Sequence, residues 1–284
     1  MTQEDLIQLA LREGFQDAYF VDAECFDQWG KQEGERHPDT LKLEQDPKAC
    51  MPGAASILIV LTQTRPFSDF PPGFGPYPAY YADSNRAYFS AKELAKTLRE
   101  RGMGALHTPY IPLRCAALRG GGWVGRNRLM YHERFGSFFH IQGILLDLPM
   151  QARLPVKRDG CLNCGRCVAA CPTGALSEGG FCWEKCLRVM INDPKRLSFA
   201  VGKARLLIGC EICQRVCPNN AGVAPRRPRR EEYEPFALEK LCAGGKANLA
   251  GAARVVGPNL ARRLPMQARC LFGEKPQESG EEGK

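Results

Sequence analysis

The segment from Cys161 to Cys217 constrains this chain more than any other. It opens with Cys161-Leu-Asn-Cys164-Gly-Arg-Cys167-Val-Ala-Ala-Cys171-Pro172, passes Cys182 and Cys186, and closes with Cys210-Glu-Ile-Cys213-Gln-Arg-Val-Cys217-Pro218. The opening run matches C-x2-C-x2-C-x3-C-P, a pattern that ligates two [4Fe-4S] clusters because its fourth cysteine is carried away to serve the other cubane. Counting thiolates then gives cluster one Cys161, Cys164, Cys167 and Cys217. Cluster two takes Cys171, Cys210 and Cys213 and lacks one ligand, which Cys182 or Cys186 must supply. A zinc site would use paired cysteine elements without the Cys-Pro step, and a set of disulfides would need an oxidising compartment.

The N-terminus, Met1-Thr-Gln-Glu-Asp-Leu6, has no basic stretch followed by an apolar one, so it is not a secretory signal, and no apolar run reaches the length of a membrane span. Fourteen cysteines without an export signal point to metal ligation in a reducing cytoplasm. A chain of 284 residues, 44% hydrophobic, suffices for one large domain and one small one. A net charge of +8 admits an anionic partner without requiring one.

Ahead of the cysteines the pattern is α/β. Leu6, Ile7, Ala10 and Leu11 recur at helical spacing, with Gly14 as a stop. Residues 18–21 and 56–61 read as strands, the second short, β-branched and buried. Residues 23–50 read as loop and short helix, with Cys50 as a packing residue. Residues 64–81 are dense in Pro, Gly and aromatics, which gives either a lid or an aromatic-stapled loop. Tyr88, Ala91, Ala95 and Leu98 mark an amphipathic helix ending at Arg101-Gly102. Then come the glycine-rich Gly120-Gly-Gly-Trp123-Val-Gly-Arg-Asn127, strand material at 138–141 and 143–147, and a linker from Pro149 to Pro155. Gly160, Gly165, Gly174 and Gly209 leave backbone amides free to approach cluster sulfides. After the cysteines, Arg226-Arg-Pro-Arg-Arg230 could touch phosphate or be a solvated charge run. Helical patches over 236–270 are interrupted at Gly244-Gly245, Gly251 and Pro258, and residues 274–284 have the composition of a disordered tail.

The cluster block, Gly120-Gly-Gly-Trp-Val-Gly-Arg-Asn127, Phe135-Gly-Ser137, Asp46-Pro-Lys, Pro52-Gly-Ala-x-Ser56, and Tyr81 with Tyr88 together resemble the epoxyqueuosine reductase family over roughly residues 3–235. The resemblance implies a nitroreductase-like α/β domain over 1–152 that holds cobalamin. It implies a two-[4Fe-4S] ferredoxin-like domain over 153–222, a short basic, partly helical extension over 223–273, and the tail. The implied reaction removes the epoxide oxygen of epoxyqueuosine in tRNA, with electrons from a low-potential donor of flavodoxin or ferredoxin type and no membrane. The same likeness favours Cys186 over Cys182 in cluster two, and puts Gly122, Trp123, Asn127, Met130, Tyr131 and His132 against the cofactor.

The chain also departs from the family. An ungapped comparison puts Leu106 where the family has an acidic proton donor, and His107 is the adjacent titratable residue, hence the candidate catalytic acid. A strand there would turn His107 to the face opposite the aligned position, whereas a loop would let it reach the pocket. Ala87-Tyr88-Phe89 stands for the family's Asp-Tyr-His, Leu113 with Arg114 adjacent stands for its arginine, and the long helical repeat that holds tRNA is absent or reduced. The competing reading is an electron-transfer or corrinoid-reducing partner protein without epoxyqueuosine reductase activity. A third is a tRNA-binding module with structural clusters, supported by Arg226–Arg230.

Overall fold

The structure, a computed structural model, describes residues 1–24, 45–154 and 160–273. The tail read at 274–284, most of the loop read at 23–50, and Pro155 lie outside the described residues.

Helix α1 (Gln3–Arg12) starts at Thr2, whose hydroxyl accepts from the Asp5 amide while the Asp5 carboxylate accepts from the Thr2 amide. It leads into β1 (Asp17–Asp22), the short α2 (Pro47–Cys50), β2 (Ser56–Gln63), α3 (Ala79–Glu100), β3 (Ala105–His107), α4 (Leu113–Arg119), the hairpin β4 (Trp123–Val124) and β5 (Met130–Tyr131), and β6 (Phe139–Leu146). The main sheet runs β1-β2-β6-β3 with every pair antiparallel. The two stretches read as strand material on either side of Gln142 are one strand, because β6 pairs with β2 along its whole length.

Strand alternation sorts side chains onto two faces. Phe20, Leu58, Val60, Ile144 and Leu146 pack under α1 and α3 with Ala91, Leu94 and Leu98. Tyr19, Ile57, Ile59, Leu61 and Leu145 pack on the other side with Ala116, Met130 and Phe135. Leu58, Val60, Ile57 and Ile59 are fully buried, each contributing about 1.5–3 kcal/mol. Helix α3 starts about two and a half turns earlier than Tyr88, right after Pro78. Its first turns were hidden in the sequence because they pack on the cysteine region and the C-terminal helices rather than on the sheet.

The cysteine region follows as α5 (Arg166–Ala169), the two-residue strands β7 (Leu176–Ser177) and β8 (Gly180–Phe181), α6 (Leu187–Asn192) and α7 (Ile212–Arg215). Beyond it come α8 (Arg230–Tyr233), α9 (Leu238–Ala243), α10 (Lys246–Val256), α11 (Pro258–Ala261) and α12 (Leu264–Phe272). The breaks expected at Gly244-Gly245 and Pro258 are there, but Gly251 lies inside α10. Its bare face sits on Pro235, whose Cβ would be 3.1 Å from an added Cβ, so the glycine serves close packing and not a turn.

The proline- and aromatic-rich loop is stapled. Phe67, Phe70 and Tyr77 meet edge to face, and Tyr77 stacks on Phe236 at 4.0 Å and donates its hydroxyl hydrogen to the Glu232 carbonyl at 2.7 Å. The basic run closes this staple. Arg226 grips Glu232 with two hydrogen bonds of 2.7 Å and lies over the Phe67 ring, Arg229 pairs with Glu231 and Glu232, and Arg230 with Glu234. Burial works against the Glu232 charge, but hydrogen bonds from Arg226 and the Arg229 amide outweigh it and hold the carboxyl at about 2. Three of the four arginines read as a phosphate-binding candidate are thus spent on internal ion pairs.

Candidate iron–sulfur centres and the acceptor face

Two groups of thiols form. Cys161, Cys164, Cys167 and Cys217 line one cleft together with Arg126, Asn127 and Tyr131. Cys186, Cys210 and Cys213 each sense the charge of Cys171 and form the second group. Cys213 also senses Cys167, so the groups adjoin. Cys186 caps the start of α6, whereas the Cys182 thiol turns to the Glu184 carboxylate at 3.4 Å. Cys186 thus lies among Cys171, Cys210 and Cys213, while the thiol contact at Cys182 is with Glu184.

The donor set suits clusters. All described cysteines are free thiols. Amides aim at the sulfurs: Arg126 at Cys161 (3.4 Å), Arg188 and Val189 at Cys186, Ile212 at Cys210, and Leu176, Thr173 and Ala175 at Cys171. Such N–H···S contacts help set cluster potentials. Without a cluster, burial pushes the thiols of Cys210 up to about 11 and Cys213 up to about 12. Local geometry explains the loop: Asn163 (φ 49°) and Gly165 (φ 71°) adopt the left-handed region that turns the chain between Cys161 and Cys167.

The residues read as facing a cofactor separate into three places. Tyr131 and Asn127 face the first thiol group: Asn127 donates to the Tyr131 hydroxyl at 2.8 Å, and that hydroxyl also meets Cys217. Met130 is buried in the sheet core. Gly122, Trp123 and His132 line a cleft of about 370 Å³ with Asp17, Arg134 and Arg153. There His132 Nδ1 accepts from the Arg134 amide at 3.2 Å, which leaves Nε2–H to donate to Asp17 at 3.1 Å. Arg153 grips the same carboxylate at 2.9 and 3.0 Å, so the expected linker is pinned to β1. The Trp123 ring lies against Gly160, where a Cβ would collide with it, and its buried Nε1–H has no partner among the described residues.

His107 ends β3, and strand alternation turns it away from Leu106, which packs in the opposite core layer. It faces α3, with Nε2 2.8 Å from Gln142 Oε1 and its ring edge-on to Tyr88 at 4.8 Å. His140 lies one step further along the same face of β6, stacked on Tyr80 at 4.0 Å. Burial lowers the pKa of both histidines, His140 to about 4. Neither cleft above includes His107, but this face touches the second thiol group. Arg188, whose amide points at Cys186, hydrogen-bonds Tyr81, and Gly209 lets the chain before Cys210 press on Pro78 and Tyr81.

Sequence reasoning missed the contacts that join the halves. Ser137 donates its amide hydrogen to Asn220 at 2.7 Å, and an added Cβ at Gly136 would collide with the same amide. The Phe-Gly-Ser motif is thus a docking joint for the cysteine segment. Asp17, Arg153, Gln142 and Arg188 carried no motif signal, because each acts through partners distant in the chain.

A family model for a 4Fe-4S double cluster binding domain matches residues 160–220. The chain is 32% identical over 204 residues to epoxyqueuosine reductase of Leadbetterella byssophila, covering 67% of this chain and 66% of that protein. It is 30% identical over 212 residues to the Cyclobacterium marinum enzyme of that name, covering 69% of this chain and 67% of the relative. It thus spans about two thirds of the length of these relatives. An epoxyqueuosine reductase solved with an epoxyqueuosine-modified tRNA-Tyr stem loop superposes with TM-score 0.78 at 22% identity, covering 94% of this chain and 80% of that one. A reductive dehalogenase described as B12-dependent gives 0.52 at 18% identity, covering 93% of this chain and 35% of its own. The fold is thus α/β, a nitroreductase-like domain followed by a two-[4Fe-4S] ferredoxin-like domain, and the chain belongs to the epoxyqueuosine reductase family.

Proposed function

We propose that this chain is an iron–sulfur reductase that passes single electrons through two clusters to a corrinoid on the α3 face of the sheet, and that its substrate is epoxyqueuosine in tRNA. Cys161, Cys164, Cys167 and Cys217 would hold cluster one, and Cys171, Cys186, Cys210 and Cys213 cluster two. The observation that carries the reading is the contact of the second thiol group, through Arg188 and Gly209, with the Tyr80–Tyr81 end of α3. When bound, the clusters supply one-electron carriage and the corrinoid a strongly reducing centre. Tyr80 and Tyr88 offer aromatic planes on that face. The corrinoid is supported by the B12-dependent neighbour and by this family, and the tRNA by the relative solved with a stem loop. The Arg226–Arg230 run lends tRNA no weight, since most of its charge is paired internally.

Removing an epoxide oxygen consumes a proton at that oxygen. His107 and Tyr88 are titratable groups on the face in question; with Nε2–H donated to Gln142 Oε1, His107 has a proton to give from Nδ1 only as the imidazolium, which burial disfavours, and which would return to the neutral ring on giving it to the epoxide oxygen. Free thiols among the described residues, with no described helix able to cross a membrane, suit a reducing cytoplasm. The second reading, a partner protein that reduces another protein's corrinoid, draws on Leu106, which stands in place of the family's acid and lies in the opposite core layer.

The test is anaerobic reconstitution followed by turnover on epoxyqueuosine-containing tRNA with a reduced donor. We expect about eight iron and eight sulfide per chain, bound corrinoid, and turnover that falls about 10²–10⁴-fold in His107→Ala. Iron near half that amount would end the two-cluster assignment. Intact clusters with no turnover would favour the electron-transfer reading.

A further inference from the structure

We propose that Arg188 is a positioning residue for electron transfer: its guanidinium, tied to Tyr81, raises the potential of the cluster on Cys171, Cys186, Cys210 and Cys213, and so holds the electron at the end of the relay that faces α3. This rests on the two-cluster reading above. Arg188 is fixed at both ends. It is the second residue of α6, just after the Cys186 cap, and its amide points at the Cys186 sulfur. Its side chain hydrogen-bonds Tyr81 on α3, where Gly209 presses the chain before Cys210 onto Pro78 and the Tyr81 ring. Arg188 thus bridges a ligand of the second thiol group and the first turn of α3.

The charge it brings is not cancelled locally. Burial opposes that charge, but Tyr81, Tyr80 and Cys186 outweigh burial, and no carboxylate is among the groups that act on Arg188 most. Glu211, the one carboxylate inside the run from Cys210 to Cys217, is already neutralised by Arg215 at 2.6 Å. Four thiolates outweigh the charge of a cubane, so the cluster is anionic and gains one more negative charge on reduction. A nearby cation therefore favours the reduced form over the oxidised one, and net charge is among the quantities that set cluster potentials. Arg188 keeps accessible surface, so water screens part of its field and the effect is one of tuning. In the step concerned one electron leaves the cluster on Cys161, Cys164, Cys167 and Cys217, which is oxidised, and enters the second cluster, which is reduced; no bond is made or broken and no proton moves.

The experiment is an anaerobic potentiometric titration of the reconstituted full chain, followed by EPR. The wave of the second cluster is the one missing from Cys186→Ala. Arg188→Gln keeps the backbone amide at Cys186 and a hydrogen-bond donor near Tyr81 but removes the charge. It is expected to lower the ratio of reduced to oxidised second cluster at a fixed potential about tenfold, a shift of about 59 mV for one electron, with iron content at the wild-type level. Arg188→Lys, which keeps the charge, should restore most of that ratio. Lys96→Gln removes a charge about 22 Å further along α3 than Tyr81 and should leave both waves in place. An unmoved second wave in Arg188→Gln would overturn the proposal. So would an equal shift in Arg188→Lys, which would mark a structural role, or in Lys96→Gln, which would reduce the effect to net charge. If Arg188→Gln fails to take up iron, Tyr81→Phe decides, because it frees the guanidinium and leaves the ligand helix unaltered: the second wave should move to lower potential, and a fixed wave would overturn the proposal. A wild type that holds a single cluster would strike the two-cluster reading instead.

Discussion

At the scale of single residues, two side chains carry the sharpest expectations. Cys186 lies with Cys171, Cys210 and Cys213 at the start of α6, and Cys182 bonds Glu184. Cys186→Ala should therefore lose the second cluster and about half the iron, leaving a single-cluster signal. Cys182→Ala should keep nearly all of it, and iron analysis with low-temperature EPR of the two variants checks this. His140 is the second. Burial holds it at about 4 against an ordinary 6.5, with the Tyr80 carbonyl opposing. The folded state then binds fewer protons than the unfolded chain between those values, so stability is full above about pH 6.5 and falls as the pH drops toward 4. The loss is on the order of 3 kcal/mol. His140→Gln should flatten this part of the pH–stability curve, measured by urea unfolding from pH 7 to pH 4; an unchanged slope would remove His140 as its source.

At the scale of elements, the loop before α3 is held by side chains and not by a ladder. Tyr77 is 1% exposed, stacked on Phe236 and bonded to Glu232. Tyr77→Ala should cost about 3–5 kcal/mol, because it empties a filled site and strands the Glu232 carbonyl. Chemical denaturation checks the size. A cost under about 1 kcal/mol would mean that the loop is anchored by its backbone bonds to Arg226, Phe236, Leu207 and Leu238. Because the loop feeds α3, the variant should also loosen Tyr80 and Tyr81, visible as raised amide exchange in the first turns of that helix.

At the scale of the whole molecule, the C-terminal helices complete the core that roofs the second thiol group. Leu207 and Ile208, just ahead of Cys210, share one apolar cluster with Leu241, Ala252, Leu264 and Phe236. Truncation after Ala237 removes α9–α12 and uncovers that cluster. We expect the truncated chain to lose cluster two before cluster one and to aggregate on reconstitution, as followed by iron content and light scattering. Retention of both clusters in a soluble truncated chain would show that the helices are dispensable for this centre.

Much of this was legible from residues alone, because it is encoded locally. The spacing of Cys161, Cys164, Cys167 and Cys171 dictates a ligand loop whatever surrounds it, and the β-branched run of β2 dictates a buried strand. The Gly-Trp and Phe-Gly-Ser segments pointed to the family for the same reason. Tertiary structure alone decided what depends on segments far apart in the chain. Ligand counting left Cys182 and Cys186 equal, and packing of α6 sets Cys186 beside Cys171. A basic run reads the same whether solvated or latched, and only Glu232 across the turn shows that Arg226 is latched. The face on which His107 emerges follows from its pairing with Ile144 on β6, a strand more than thirty residues away. Spacing fixes which atoms can meet within a turn, whereas long-range contacts arise when buried faces close over one another, and that closure has no local signature.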